Sequence, residues 1–258
     1  MKVEMRELEK LVREIAPLFL DKERASMVRE KGLADFVTQV DFQVQEHMRE
    51  QLYRRYPDIQ FMGEEKNNDD VDFSSDVWIL DPVDGTLNLI HDYRESALSL
   101  GLWHEGRVCM GLIYQPYTDE MYTAEYGRGA FLNGEPIHVS AETEMIRSLI
   151  SIGTTPYAKE TADRNFRDFK EIFLRSADIR RMGSAAIELA YVAAGRTEAF
   201  FERDLKPWDF AAGMLLVQEA GGSVTGFDGK PVDARMRSDI VAGNGTIGEI
   251  LTREILSR

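Results

Sequence analysis

Read for its apolar periodicity, the chain begins helically, turns extended in its middle third and then alternates. Met5, Leu8, Leu11, Val12, Ile15 and Phe19 recur at helical spacing, which predicts an amphipathic helix over 3–20 serving packing or a dimer contact. Lys31-Gly32-Leu33-Ala34-Asp35 breaks that pattern and predicts a mobile loop, with a short extended piece over 36–40. Thr38 stands three residues before Asp41, a capping-box spacing, and Val44, Met48 and Leu52 follow at helical intervals. A second helix therefore carries Asp41 in its first turn and ends near Tyr56-Pro57. On spacing alone, Asp41 only complements the helix dipole.

Phe61-Met62-Gly63 ends in two acids, Glu64-Glu65, and a polar, acidic loop runs over 66–75. Trp78-Ile79-Leu80 predicts a buried strand that delivers Asp81-Pro82-Val83-Asp84-Gly85-Thr86 to a helix start. Antiparallel strands follow over 97–103, 107–114 and 120–126, with Glu105-Gly106, residues 116–119 and 127–129 as turns and Asn133-Gly134 as a further hairpin signal. Past residue 140 the pattern predicts a strand over 149–152 and a helix over 164–175 with Phe166, Phe169, Ile172 and Phe173 on one side. Next come a short strand over 179–182 and a helix capped by Ser184 that stops at Gly195. A strand over 198–202, a helix from Pro207 to Gly221-Gly222, and strands at Val224 and 240–242 complete it. No linker or repeat interrupts this order, so the expectation is one mixed domain over 1–258 whose two halves meet near residue 145.

Composition narrows the function. A net charge of −14 with no Lys/Arg cluster excludes nucleic-acid binding through a basic face. An acidic protein that handles phosphate needs cations to offset the repulsion. Cys109 is the sole cysteine, which excludes an internal disulfide and a Cys-based zinc site. No run approaches the ~20 apolar residues of a membrane span, and residues 1–10 lack a signal peptide's apolar core. The expectation is a cytoplasmic protein without membrane contact.

The acids at element ends are Asp41, Glu64, Glu65, Asp81, Asp84 and Asp209. Carboxylates gathered around one point repel strongly without counter-ions. Hard cations such as Mg²⁺ take carboxylate and carbonyl oxygens, and two metals ~3.5–4 Å apart clamp the attacking and leaving oxygens of a displacement. Backbone N–H groups at a helix start favour phosphate. The stretch from Asp81 to Thr86 is thereby a candidate seat for a metal-bound phosphate, although Asp-x-x-Asp is by itself a common spacing.

Gly63-Glu64-Glu65, Trp78-Ile79-Leu80-Asp81-Pro82-Val83-Asp84-Gly85-Thr86 and Trp208-Asp209-Phe210-Ala211-Ala212-Gly213 together resemble the signature segments of the inositol monophosphatase family. Its relatives include fructose-1,6-bisphosphatase and phosphatases acting on 3′-phosphoadenosine 5′-phosphate. Asp35-Phe36-Val37-Thr38-Gln39-Val40-Asp41 resembles the family's early segment, and Glu219-Ala220-Gly221-Gly222 the end of its late one. The resemblance implies a mixed α/β (α+β) fold layered αβαβα, two or three Mg²⁺ ions, lithium sensitivity and a homodimer. It implies that Glu64, Asp81 and the Val83 carbonyl hold a first metal, and Asp81, Asp84 and Asp209 a second. Glu64 and Glu65 would help a third through water.

By the same resemblance, Asp41 and Thr86 activate the attacking water, with Glu64 in the catalytic set. Gly85 and Thr86 seat the phosphate, and Asp84, Gly183, Ser184, Ala185, Glu202 and Asp209 meet the substrate. Lys31 matches the basic residue of a mobile loop. The implied reaction is hydrolysis of inositol 1-phosphate or a related sugar phosphate. Fructose-1,6-bisphosphate, NADP(H) and 3′-phosphoadenosine 5′-phosphate are alternative substrates. A partner of transcription machinery with retained or vestigial phosphatase activity is the alternative of another class.

Overall fold

The computed structural model describes residues 3–256. Three short helices open the chain: α1 (Met5–Arg13), α2 (Ala16–Phe19) and α3 (Lys22–Ala25). The single helix expected over 3–20 is thus broken. Pro17 has no N–H to donate, and its ring would crowd the carbonyl of Arg13, where α1 ends. The expected loop at 31–35 is instead the tip of an antiparallel hairpin of β1 (Val28–Gly32) and β2 (Asp35–Thr38), turning at Leu33-Ala34 with Ala34 at φ +54°. Every residue of β1 is exposed, so no apolar alternation marked it as a strand.

Helix α4 (Gln39–Arg55) starts as expected, at a capping box of Thr38 and Asp41. Then follow β3 (Gln60–Gly63), β4 (Val77–Asp84), α5 (Thr86–Ile90), β5 (Ala97–His104), β6 (Arg107–Gln115), β7 (Glu120–Glu125), β8 (Gly129–Leu132) and β9 (Glu135–Ile137). These seven strands form one sheet in sequence order, with β3 and β4 parallel and the rest antiparallel. A second sheet has the order β11-β10-β12-β14-β13, from β10 (Leu149–Ile152), β11 (Asp178–Arg180), β12 (Ala199–Leu205), β13 (Ser223–Thr225) and β14 (Ser238–Gly243). Its helices are α6 (Ala162–Arg175), α7 (Ala185–Ala193), α8 (Pro207–Glu219), α9 (Thr246–Ile250) and a π-helical turn, Leu251–Leu256.

Three apolar clusters define five layers. Leu8, Leu11, Val44 and Met48 pack on Trp78, Leu80 and Leu112 from one face of the large sheet. Ile79, Ile113 and Tyr122 on its other face meet Ile187, Leu189, Leu215 and Leu216 of α7 and α8, which also meet Phe200 and Ile240 of the small sheet. Phe201 and Val241 on the far face of that sheet meet Phe169, Ile172, Leu251 and Ile255. The order is helix, sheet, helix, sheet, helix, as the resemblance implied. On α6 only Phe169 and Ile172 of the expected apolar row are buried; Phe166 and Phe173 are 67% and 54% exposed. α9 and the π turn lie past the last expected element, although Ile247, Ile250, Leu251 and Ile255 stand at helical spacing there.

Candidate active site

β4 is buried on both faces along almost its whole length, as a central strand must be. Its Pro82 cannot donate to a ladder, and the strand bulges there: β4 advances three residues from Asp81 to Asp84 while β5 retreats two, from Ser99 to Ala97. The Asp81 side chain compensates by accepting from the Val83 N–H at 2.9 Å. The bulge turns Val83 and Asp84 out of the sheet toward a cavity of about 320 Å³ that Glu64, Asp81, Val83, Asp84, Gly85, Thr86, Glu202 and Asp209 all line. Gly85 then takes φ +86°, where an added Cβ would lie 2.9 Å from the Glu95 carbonyl oxygen.

Each neighbouring acid is delivered by local structure. The Glu64 N–H donates to the Leu80 carbonyl at 3.2 Å, extending β3 by one step and setting Glu64 beside Asp81. Asp209 stands in the first turn of α8, where Oδ2 accepts from the Lys206 N–H at 2.7 Å. Asp41, fully buried, accepts from the Thr38 N–H and hydroxyl at 2.8 and 2.5 Å through Oδ2. Its Oδ1 accepts from the Thr86 hydroxyl at 2.9 Å. That hydroxyl also lies 3.1 Å from the Val83 carbonyl, so its one proton has two acceptors to choose between. The dipole role read from spacing is therefore not the whole of Asp41, since its carboxylate reaches across to Thr86.

Asp84 is pinned from α7, with Oδ2 accepting from the Ser184 hydroxyl at 2.6 Å and the Ala186 N–H at 2.5 Å. Ser184 also caps α7 by accepting from the Ile187 N–H at 3.3 Å. Its hydroxyl proton thus goes to Asp84. Lys31, on the hairpin, bridges Glu64 at 3.1 Å and Glu65 at 2.7 Å. Burial alone would depress its pKa, but the two carboxylates outweigh that and hold it raised.

The carboxyls carry the electrostatic signature of a crowded acidic site. Burial foremost, and then Glu64, Asp84, Asp209 and Asp41, push Asp81 well above the usual carboxylate range. Burial and then Glu64 and Asp84 do the same to Asp209. Burial raises Asp41 against the opposing hydrogen bonds from Thr38 and Thr86. It brings Asp84 to about 6 and Glu65 and Glu202 to about 7. Among the described residues, no three acid, His or Cys side chains already stand as a closed cation cage. Asp81, Asp84 and Asp209 each give an oxygen to a protein donor, and Lys31 covers Glu64 and Glu65. The donors are nevertheless all oxygen and mutually repelling, with Asp81, Asp84, Asp209 and Glu65 raised in pKa, which is the chemistry a hard divalent cation relieves.

A stability prediction follows. Asp84, Glu65 and Glu202 bind protons more tightly folded than at their ordinary values of 3.8, 4.5 and 4.5. Between about pH 4 and 7 these three groups therefore hold more protons in the metal-free folded chain than in the unfolded one, and the stability they contribute falls as pH rises through that window. Melting temperatures in EDTA from pH 4.5 to 8 should decline, and added Mg²⁺ should raise them most at pH 8. A melting temperature that climbs with pH in EDTA contradicts the crowding.

Residues without a sequence signal complete the cavity. Gly153 makes room for Glu202, since a Cβ there would fall 2.1 Å from Glu202 Cδ. Lys206 approaches Glu64 at 4.0 Å. Arg181, Tyr157 and Arg237 line the end of the cavity near Glu202. Only the Gly153-Thr154-Thr155-Pro156 cluster, a turn signal, hinted at that end of the site.

The sequence model of the inositol monophosphatase family matches residues 2–257. An inositol-1-monophosphatase of Rhizobium meliloti is 40% identical over 230 residues, covering 88% of this chain and 85% of that protein. The Nus factor SuhB of Salmonella typhimurium is 40% identical over 216 residues, covering 83% of this chain and 80% of that protein. The crystal structure of extragenic suppressor protein suhB from Bartonella henselae superposes with a TM-score of 0.90 at 34% identity, covering 96% of each chain. This chain belongs to the inositol monophosphatase family and is a phosphoric monoester hydrolase. The family is generally metal-dependent and acts on small phosphorylated substrates. No helix among the described residues is long and apolar enough to cross a membrane.

Proposed function

We propose that this chain hydrolyses inositol 1-phosphate or a related sugar phosphate monoester, using Mg²⁺, at the cavity where β3 and β4 end and α4 and α8 begin. The observation that carries the reading is the set of carboxyls at one cavity whose pKa values rise through burial and one another's charge. Glu64, Asp81, the Val83 carbonyl, Asp84 and Asp209, with Glu65 outside them, would hold two or three ions. When bound, these ions would neutralise the phosphate and acidify the attacking water.

The chain's own groups do the rest. Thr86 donates its proton to Asp41 and so turns a lone pair toward the cavity, where it accepts from water. As that water attacks, the Thr86 proton passes to Asp41, whose burial makes it a stronger base than a free Asp. Gly85 and Thr86 present N–H groups to the phosphate at the opening of α5. Asp84, Gly183, Ala185 and Glu202 face the alcohol, and Ser184 serves chiefly by holding Asp84 in place. Hairpin residue Lys31 shields Glu64 and Glu65.

The reading includes one domain, a cytoplasmic setting and a homodimer. The domain is supported by α7 and α8, which pack on both sheets. The exposed Phe166 and Phe173 of α6 are an apolar surface open to a second copy. SaIMPase-II, 28% identical to this chain, is solved with inositol monophosphate and also with 2′AMP, which supports a phosphate monoester site that admits a polyol. A second reading, a role as a binding partner, is favoured by the likeness to the Nus factor SuhB.

Phosphate release at fixed Mg²⁺ tests the substrate, comparing inositol 1-phosphate, fructose-1,6-bisphosphate, NADP⁺ and 3′-phosphoadenosine 5′-phosphate. Inositol 1-phosphate should give the highest kcat/KM. A nucleotide leading the panel overturns the polyol assignment.

A further inference from the structure

Glu202 stands on a second bulge, built like the one in β4. β12 advances three residues from Glu202 to Leu205 while β14 retreats two, from Ile240 to Ser238. Asp204, inside the bulge, has φ +56°. Opposite it, just past β10, Thr155 has φ +46°, an outlier for a β-branched residue that persists only where its surroundings over-determine it.

Those surroundings are specific. The Thr155 N–H donates to Glu202 Oε1 at 2.9 Å, and its hydroxyl donates to the Arg203 carbonyl at 3.1 Å. Strand alternation sends Glu202 to the cavity and Arg203 to the opposite face, toward α6. There Arg203, only 7% exposed, donates from Nε to Asn165 at 2.8 Å and from Nη2 to Asp168 at 2.6 Å. Its guanidinium lies 4.4 Å from the centre of the Phe227 ring. The Asp204 N–H donates to Asp239 at 3.0 Å, and Asp239 also stands 3.8 Å from Arg203. Glu202, Arg203 and Asp204 are thus each held by a side-chain or backbone partner outside β12: Thr155, α6 and Asp239.

A buried ion pair is a weak source of stability, because desolvation offsets its attraction, and an apolar pair would hold α6 to the sheet as well. What directional bonds add here is a fixed backbone path beneath Glu202. We propose that Arg203, Asp168 and Thr155 are positioning residues that hold Glu202 against the substrate's hydroxyls and so set selectivity for polyol phosphates over phosphate esters of simple alcohols. This rests on the reading of Glu202 as an alcohol contact.

The test compares inositol 1-phosphate with phenyl phosphate, whose leaving alcohol carries no further hydroxyl. Arg203→Lys should raise KM for inositol 1-phosphate by about tenfold, with kcat held within about twofold and phenyl phosphate kinetics unchanged. In a Glu202→Gln background the same substitution should add nothing, since its effect passes through Glu202. Thr155→Ala keeps the N–H and removes the hydroxyl, and should shift the same ratio by about threefold. It serves as the deciding variant if thermal melting finds Arg203→Lys unfolded.

Equal losses on both substrates, an undiminished Arg203→Lys effect without Glu202, or an unmoved ratio in Thr155→Ala overturns the proposal. Glu202→Gln that leaves the inositol 1-phosphate KM untouched overturns the underlying assignment of Glu202 as well. A selective Glu202→Gln beside a neutral Arg203→Lys overturns only the positioning role.

Discussion

Asp84→Asn should lower kcat/KM for phosphate release by at least about 10³-fold at saturating Mg²⁺, because a carboxylate serving both cation and substrate loses several kcal/mol of transition-state stabilisation when neutralised. The fold should survive. Asparagine keeps an oxygen for the Ser184 hydroxyl and the Ala186 N–H, so the anchor to α7 remains. It also removes one charge from a crowd that raises Asp81 and Asp209, so the metal-free melting temperature should hold or rise. Phosphate release and thermal melting on the same preparation check both halves. Near-normal activity would remove Asp84 from the metal site, whereas a collapsed melting curve would make the variant uninformative about chemistry and send the test to Asp81→Asn. The variant also separates the two readings of function, because a protein-binding role should persist undiminished in Asp84→Asn.

The Asp41 and Thr86 pair carries the second large effect. Thr86→Ala should reduce kcat by about 10²–10⁴-fold with little change in KM, the range for loss of positioned proton transfer. Thr86→Ser, which keeps the hydroxyl 2.9 Å from Asp41 within reach, should recover most of it. Asp41→Asn should match Thr86→Ala, and the double variant should be scarcely worse than either, since groups acting as one unit are not additive. Asparagine at 41 still accepts from the Thr38 N–H, so the start of α4 is preserved and helix loss does not mimic the result. Fully additive losses would show that the two residues act separately.

How much of this was legible beforehand depended on whether the signal was local. The Thr38–Asp41 capping box, the buried strand at Trp78 and the Pro207 helix start are written in neighbouring residues, and all three stand where the pattern put them. In the hairpin carrying Lys31, β1 was hidden because every residue of it is exposed, whereas β2, which buries Val37 and Thr38, falls largely on the extended piece expected over 36–40. The helical period over 3–20 ran straight through Pro17, where covalent geometry overrides apolar spacing.

At the site, residue types and order were readable, but their convergence was carried by the family resemblance. The two bulges that aim Asp84 and Glu202 depend on register against β5 and β14, which no stretch of β4 or β12 contains. Ser184 was read as a helix cap, and it is one. Its hydrogen bond to Asp84, a hundred residues away in sequence, is tertiary and had no local mark.

The central claim is that this carboxylate cavity releases phosphate from a monoester only with a divalent cation in it. Phosphate release from inositol 1-phosphate, measured after exhaustive chelation and again on titrating Mg²⁺ back, tests it most directly. No release above background is expected in EDTA, with full recovery on adding Mg²⁺ and loss of that recovery in Asp81→Asn. Undiminished release in EDTA, or full Mg²⁺-dependent recovery in Asp81→Asn, would contradict it.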